Sequence, residues 1–318
     1  MSKMAFVYPG QGVQNPGMGA DFYKESKEAE QIYNEAEILY FKHFFKHFVF
    51  IEKSDFDIKK VCFEENDLIN NTEYTQAALV TTYLAITGEV IKREIFPDVT
   101  AGLSLGEYGA ICVAGGMNEK EAISLVRKRG IYMNNAVPEG FGGMTAVLGL
   151  NKEDIDNVLR EKDGVSVANY NCPGQIVITG SVEAIESSVP DLKKLGARCV
   201  KLKVRGPFHS PYLKEAGEKL GRDLEKVTFN NLSIPYVSNV TGEYVDDIKY
   251  TKELLKQQVY SPVKWEQSVR CMIENGVDTF VEIGPGRTIG GFIRKIDKTV
   301  RHINISTVED LKKLDDLR

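Results

Sequence analysis

The chain has 318 residues, 42% of them hydrophobic and 27% charged, the make-up of a water-soluble protein with a sizeable core and more than one domain. A formal net charge of −5 argues against a nucleic-acid-binding surface, and no apolar run is long enough to span a bilayer. The start lacks a signal-peptide pattern, and five scattered cysteines without a C-x-x-C pair suit neither a disulfide framework nor a zinc site, so the cytoplasm is the expected compartment.

In chain order, the first expected element is a buried strand at residues 5–8, running into the turn Pro9-Gly10-Gln11-Gly12. This turn has neither G-x-G-x-x-G nor a Walker lysine, which speaks against a nucleotide fold. Glycines on both sides of Gln11 let its backbone approach a ligand as an oxyanion donor; a plain strand-to-loop turn has comparable weight. Residues 40–50 are unusually aromatic, with Lys42/Lys46 and His43/His47 four apart on one expected helix. With no third ligand nearby, a solvated basic face is preferred to half a metal site. Residues 78–93 carry helical periodicity, and a short strand at 99–101 follows.

That strand feeds Gly102-Leu103-Ser104-Leu105-Gly106, a G-x-S-x-G nucleophile elbow. The chain turns sharply between strand and helix, which exposes the serine and aims the next N–H, that of Leu105, at a developing oxyanion. The alternative is a chance Gly/Ser turn. A helix over 118–135, capped by Asn118, follows.

Residues 141–204 give the clearest structural pattern. Strands at 144–149, 165–170, 175–180 and 198–204 alternate with helices at 151–161 and 181–195, in the order β-α-β-β-α-β of a ferredoxin-like unit. They are expected to form a small domain inserted into a larger α/β domain made of residues 1–140 and 205–318. Beyond it, strands are expected at 234–240, 279–283 and 302–306, and helices at 251–259, 264–275 and 288–296.

A serine nucleophile needs a base. His209, in Gly206-Pro207-Phe208-His209-Ser210, sits in a tight turn that fixes its side chain, and it follows the serine in chain order as hydrolase-like sites require. His302, in an apolar strand, is the weaker candidate. No acid stands out as a third partner, and a backbone carbonyl can orient the imidazole instead.

Taken together, the motifs resemble one family. They are YPGQGVQ, Tyr74-Thr75-Gln76, GLSLGEY, Arg127-Lys128-Arg129-Gly130, NYNCPGQIVITG, GPFHS, VSNVTG, Gln258-Val259-Tyr260-Ser261-Pro262 and EIGPG. In this order the chain resembles the malonyl-CoA:acyl carrier protein transacylases of type II fatty acid synthesis and the related acyltransferase domains of polyketide synthases. The resemblance implies an α/β fold: an α/β-hydrolase-like core with a parallel sheet, plus the inserted ferredoxin-like domain. It implies Ser104 as the acylated nucleophile, His209 as base, and the Gln11 and Leu105 N–H groups as oxyanion hole. It further implies Arg129 as the binder of the malonyl carboxylate, the Gln258 carbonyl as the group orienting the imidazole, and Asn171 and Gln175 near the acyl pocket. Malonyl-CoA and holo acyl carrier protein are the implied partners, with no metal or cofactor and a monomeric chain. Candidate basic contacts for an acidic carrier are Lys193/Lys194, Lys201/Lys203 and Arg294/Lys295, though charges of this kind are more often plainly solvated.

The chain departs from the family pattern at three places. Leu103 stands where a histidine is usual, Arg205 where serine is frequent, and Ala77 where proline is frequent. A serine esterase or thioesterase would use the same logic but let water resolve the acyl-enzyme; a non-catalytic carrier-docking module would not need Ser104 and His209 together.

Overall fold

Ala5, Phe6, Val7 and Tyr8 are fully buried. A strand apolar on both faces belongs in the middle of a covered parallel sheet, and that is its place. The computed structural model describes residues 2–44 and 57–317, apart from the side chains of residues 38–44. The reading of Lys42, His43, Lys46 and His47 as a basic stripe therefore lies outside the described residues.

The strands are β1 (Lys3–Tyr8), β2 (Val99–Gly102), β3 (Gly142–Leu148), β4 (Val165–Cys172), β5 (Gln175–Ser181), β6 (Arg198–Lys201), β7 (Tyr236–Val237), β8 (Tyr244–Val245), β9 (Val277–Ile283) and β10 (Arg301–Ile305). Among the described residues, six form one sheet in the order β10-β9-β1-β2-β7-β8. Its pairs are parallel except β7–β8. Alternate side chains of β1 serve opposite faces. Ala5 and Val7 pack with Trp265, Val269, Ile289 and Ile293 from helices Trp265–Glu274 and Thr288–Ile296. Phe6 and Tyr8 face the other way, into a core with Tyr83, Leu79 and Tyr108 from helices Thr72–Ile91 and Gly106–Val113.

The second sheet is antiparallel, in the order β4-β5-β3-β6. Helices Lys152–Arg160 and Val182–Lys194 cover one face through Ile155, Leu159, Ile185 and Leu192. Each helix starts where a cap residue is available: Asn151 Oδ1 accepts the Asp154 N–H at 2.8 Å and Ser181 Oγ the Ala184 N–H at 3.1 Å. The opposite face presents Met144, Ala146 and Val177 towards the large sheet. Backbone bonds from Tyr170 N to Val263 O and from Val263 N to Ala168 O tie the two layers.

Two expected strands are shorter. β6 stops at Lys201, short of residue 204. The expected strand at 234–240 is reduced to Tyr236–Val237, because Pro235 brings no N–H and the chain turns back after Val237, with Gly242 N donating to Ser238 O. That turn leads into β8, which the sequence reading did not include.

Candidate active site

The turn between β2 and helix Gly106–Val113 leaves no room for side chains beside the serine. A Cβ on Gly102 would lie 1.9 Å from the Gly106 carbonyl carbon, and one on Gly106 would lie 2.2 Å from Tyr8 O. Ser104 itself has φ +52°, a strained value for a residue with a side chain. Asn239 holds the turn from outside: its Oδ1 accepts the Ser104 N–H at 2.6 Å and its Nδ2 donates to Gly102 O at 2.7 Å.

His209 reaches the serine from a second strained turn, φ +59°. Its Nε2 lies 2.7 Å from Ser104 Oγ and its Nδ1 2.7 Å from the Gln258 carbonyl oxygen. A carbonyl only accepts, so Nδ1 carries the proton and Nε2 is left as the acceptor. Burial, reinforced by the Arg129 charge, pulls the imidazole down from 6.5 to about 4, so the ring is neutral at neutral pH.

Arg129, 1% exposed, completes the centre. Its Nη1 donates to Gln76 Oε1 at 2.8 Å; its Nη2 donates to Gln258 Oε1 at 3.0 Å and Ser104 Oγ at 3.1 Å. Its Nε has no acceptor among the described residues. The guanidinium also stands 5.4 Å from the centre of the Tyr108 ring, a cation–π distance. Burial lowers the Arg129 pKa, opposed by Tyr108 and Glu107. All three acceptors are neutral oxygens, so the fork remains open to an incoming carboxylate.

These groups line a cleft of about 240 Å³ between the two sheets. Gln11, Leu105, Asn171 and Gln175 line it as well. The Gln11 and Leu105 N–H groups have no acceptor among the described residues, while the Gln11 side chain is held by Thr72 at 3.0 Å. Asn171 Oδ1 is buried without a partner among the described residues, and Gln175 Oε1 accepts from Lys295 Nζ at 3.2 Å. Leu103 forms part of the wall. Arg205 is not among the lining residues; its guanidinium lies 3.8 Å from Glu139 on the exposed join. His302 is engaged elsewhere, with Nε2 2.9 Å from Glu282 Oε2.

Sequence reasoning gave no role to Gln76, Glu107, Asn239 or the Gln258 side chain. The available signal was polarity out of place: Gln76 stands directly before the apolar run Ala77-Ala78-Leu79-Val80, and Glu107 opens the apolar helix after the elbow.

The acyl transferase domain family matches residues 5–310. The malonyl CoA-acyl carrier protein transacylase of Bacillus subtilis is 38% identical, over 98% of this chain and 96% of that protein. The crystal structure of malonyl CoA-acyl carrier protein transacylase from Clostridium perfringens has a TM-score of 0.92 at 39% identity, covering 100% of this chain and 98% of that one. A malonyl-transacylase solved in complex with its type II PKS acyl-carrier protein has a TM-score of 0.91 at 34% identity, with 100% of both chains covered.

Proposed function

The chain belongs to the malonyl-CoA:acyl carrier protein transacylases of the acyl transferase family, and from that premise we propose that it moves malonyl groups from malonyl-CoA to the phosphopantetheine thiol of holo acyl carrier protein, for fatty acid chain elongation. The observation that carries the reading is a single hydroxyl, Ser104 Oγ, with an imidazole at 2.7 Å and a guanidinium at 3.1 Å.

In the first half-reaction His209 Nε2 takes the Ser104 proton as Oγ attacks the thioester carbonyl. Negative charge gathers on the carbonyl oxygen and is met by the N–H groups of Gln11 and Leu105. The C–S bond breaks, the imidazolium returns its proton to the departing CoA sulfur, and malonyl is left as an oxyester on Ser104. In the second half-reaction the carrier thiol enters, His209 takes its proton, sulfur attacks the ester, and Ser104 regains the proton. Arg129 holds the free carboxylate throughout, with Asn171 and Gln175 at the acyl chain. Each step has its group within this one chain, so neither cofactor, metal nor second subunit is called for, and we read the enzyme as a monomer.

The same reading makes residues 141–204 a ferredoxin-like domain set into an α/β-hydrolase-like domain of residues 1–140 and 205–318. It is supported by the β-α-β-β-α-β order and the strand order β4-β5-β3-β6. All five cysteines are unpaired, which suits a reducing cytoplasm. The test is intact-protein mass spectrometry after mixing with malonyl-CoA. A stable malonyl adduct on Ser104, absent in Ser104→Ala and discharged by holo carrier, is expected. Release of free malonate with no adduct and no transfer would instead make the chain a hydrolase.

A further inference from the structure

The Gln258 side chain touches three parts of the site at once. Its Nε2 donates to Ser104 O at 2.9 Å and to Glu107 Oε2 at 2.5 Å, and its Oε1 accepts from Arg129 Nη2 at 3.0 Å. Its main-chain oxygen meets His209 Nδ1. An amide turned end for end keeps its shape but exchanges donor and acceptor. Turned, Gln258 would set an NH₂ against the guanidinium and an oxygen against the Ser104 carbonyl. An acceptor at Glu107 Oε2 opposes that.

Glu107 is fully buried on the first turn of the elbow helix. Its Oε2 also accepts the Asn239 N–H at 3.2 Å, and the Asn239 side chain clamps the elbow. We propose that Glu107 is a positioning residue: one carboxylate oxygen fixes the Gln258 amide and the Asn239 backbone, and through them the Arg129 fork and the His209 imidazole. The proposal rests on the transfer reading above.

The geometry favours hydrogen bonding over charge as the means. Both bonds fall on Oε2, while Oε1 has no partner among the described residues. Burial pushes the carboxyl up to about 7, and a proton on Oε1 leaves Oε2 accepting. An amide also stands between Glu107 and Arg129, so the carboxylate steadies the fork without occupying it. A carboxylate bonded directly to the fork would compete with the carboxylate of the substrate.

Glutamine can offer the same single oxygen. Glu107→Gln is therefore expected to acylate from malonyl-CoA within about threefold of wild type, with the same pH profile. Glu107→Ala is expected to be slower by roughly tenfold to a hundredfold, with a displaced acid limb and a smaller preference for malonyl-CoA over acetyl-CoA. In a Gln258→Leu background, Glu107→Ala should cost less than about threefold, because its main route of action is already gone. If Glu107→Ala does not fold, Glu107→Asp withdraws the oxygen by one methylene and is judged by the same rate, limb and preference. Wild-type values for all three in Glu107→Ala or Glu107→Asp, equal damage from Glu107→Gln, or full additivity with Gln258→Leu would overturn the proposal. A wild-type chain that never takes malonyl onto Ser104 would instead overturn the function it rests on.

Discussion

A neutral imidazole and a buried cation together set the working range of Ser104. The His209 imidazole sits beside the Arg129 cation in a buried site, and both burial and that cation disfavour its protonation. A lowered pKa means that the neutral base persists as pH falls. The acid limb of kcat/KM for acylation is therefore expected near pH 4, not at the 6.5 of a free imidazole. Stopped-flow acylation across pH 3.5–8 (values about the range needed) measures it, and a limb near 6.5 would place the base outside this environment. Arg129→Ala should lower kcat/KM for malonyl-CoA by roughly a hundredfold to a thousandfold, the loss expected when one partner of a buried charge pair is removed. The same variant should favour acetyl-CoA relative to wild type; steady-state comparison of the two thioesters decides it. Arg129 was legible because it stands in a motif. The grip of the Gln76 and Gln258 side chains on its fork was not, although both residues stand in quoted motifs, because they come together around Arg129 only when helices Thr72–Ile91 and Thr251–Gln258 converge.

At the scale of elements, the elbow and the small sheet are built by different means. The elbow depends on backbone contact without side chains. Gly106→Ala puts a Cβ 2.2 Å from Tyr8 O, part of β1 rather than a movable side chain, and is expected to cost about 3 kcal/mol or more and to abolish acylation. The cap at Asn151 serves only its own helix: Asn151→Ala is expected to cost about 1 kcal/mol while malonyl transfer stays at the wild-type rate. Urea denaturation and transfer assays on the pair separate the two cases. This contrast also explains what could be read from sequence. Caps, alternation and turn glycines act over a few residues, so the elements between residues 142 and 201 were found to within a few positions. Strand β8 was not, because a two-residue strand carries no pattern and owes its pairing to Tyr236 and Val237 of β7, itself held by Thr100 and Ala101 of β2.

Over the whole molecule, two buried groups bias stability in opposite directions across one pH window. His209 has its pKa lowered on folding, so the unfolded chain binds the extra proton and stability falls as pH drops from 6.5 towards 4. Glu107 has its pKa raised, so its contribution is complete below 4.5 and is lost as pH rises through about 7. Each is worth on the order of 3 kcal/mol at full extent, and between 4.5 and 6.5 they largely offset one another. Glu107→Gln removes only the second, so its Tm is expected to fall more steeply than that of wild type between pH 6.5 and 4.5. Parallel melting curves for the two proteins would refute the assignment.

The central strand β1 is translated first, yet one of its two neighbours, β9, begins at Val277. During synthesis, one edge of the Ala5–Tyr8 ribbon therefore waits until residues 277–283 have left the ribosome. Until then it offers unpaired amides and carbonyls on an apolar strand, a surface on which other nascent chains can add. Helper proteins that shield such edges should matter more for the yield of this enzyme than for its lasting stability once β9 has docked.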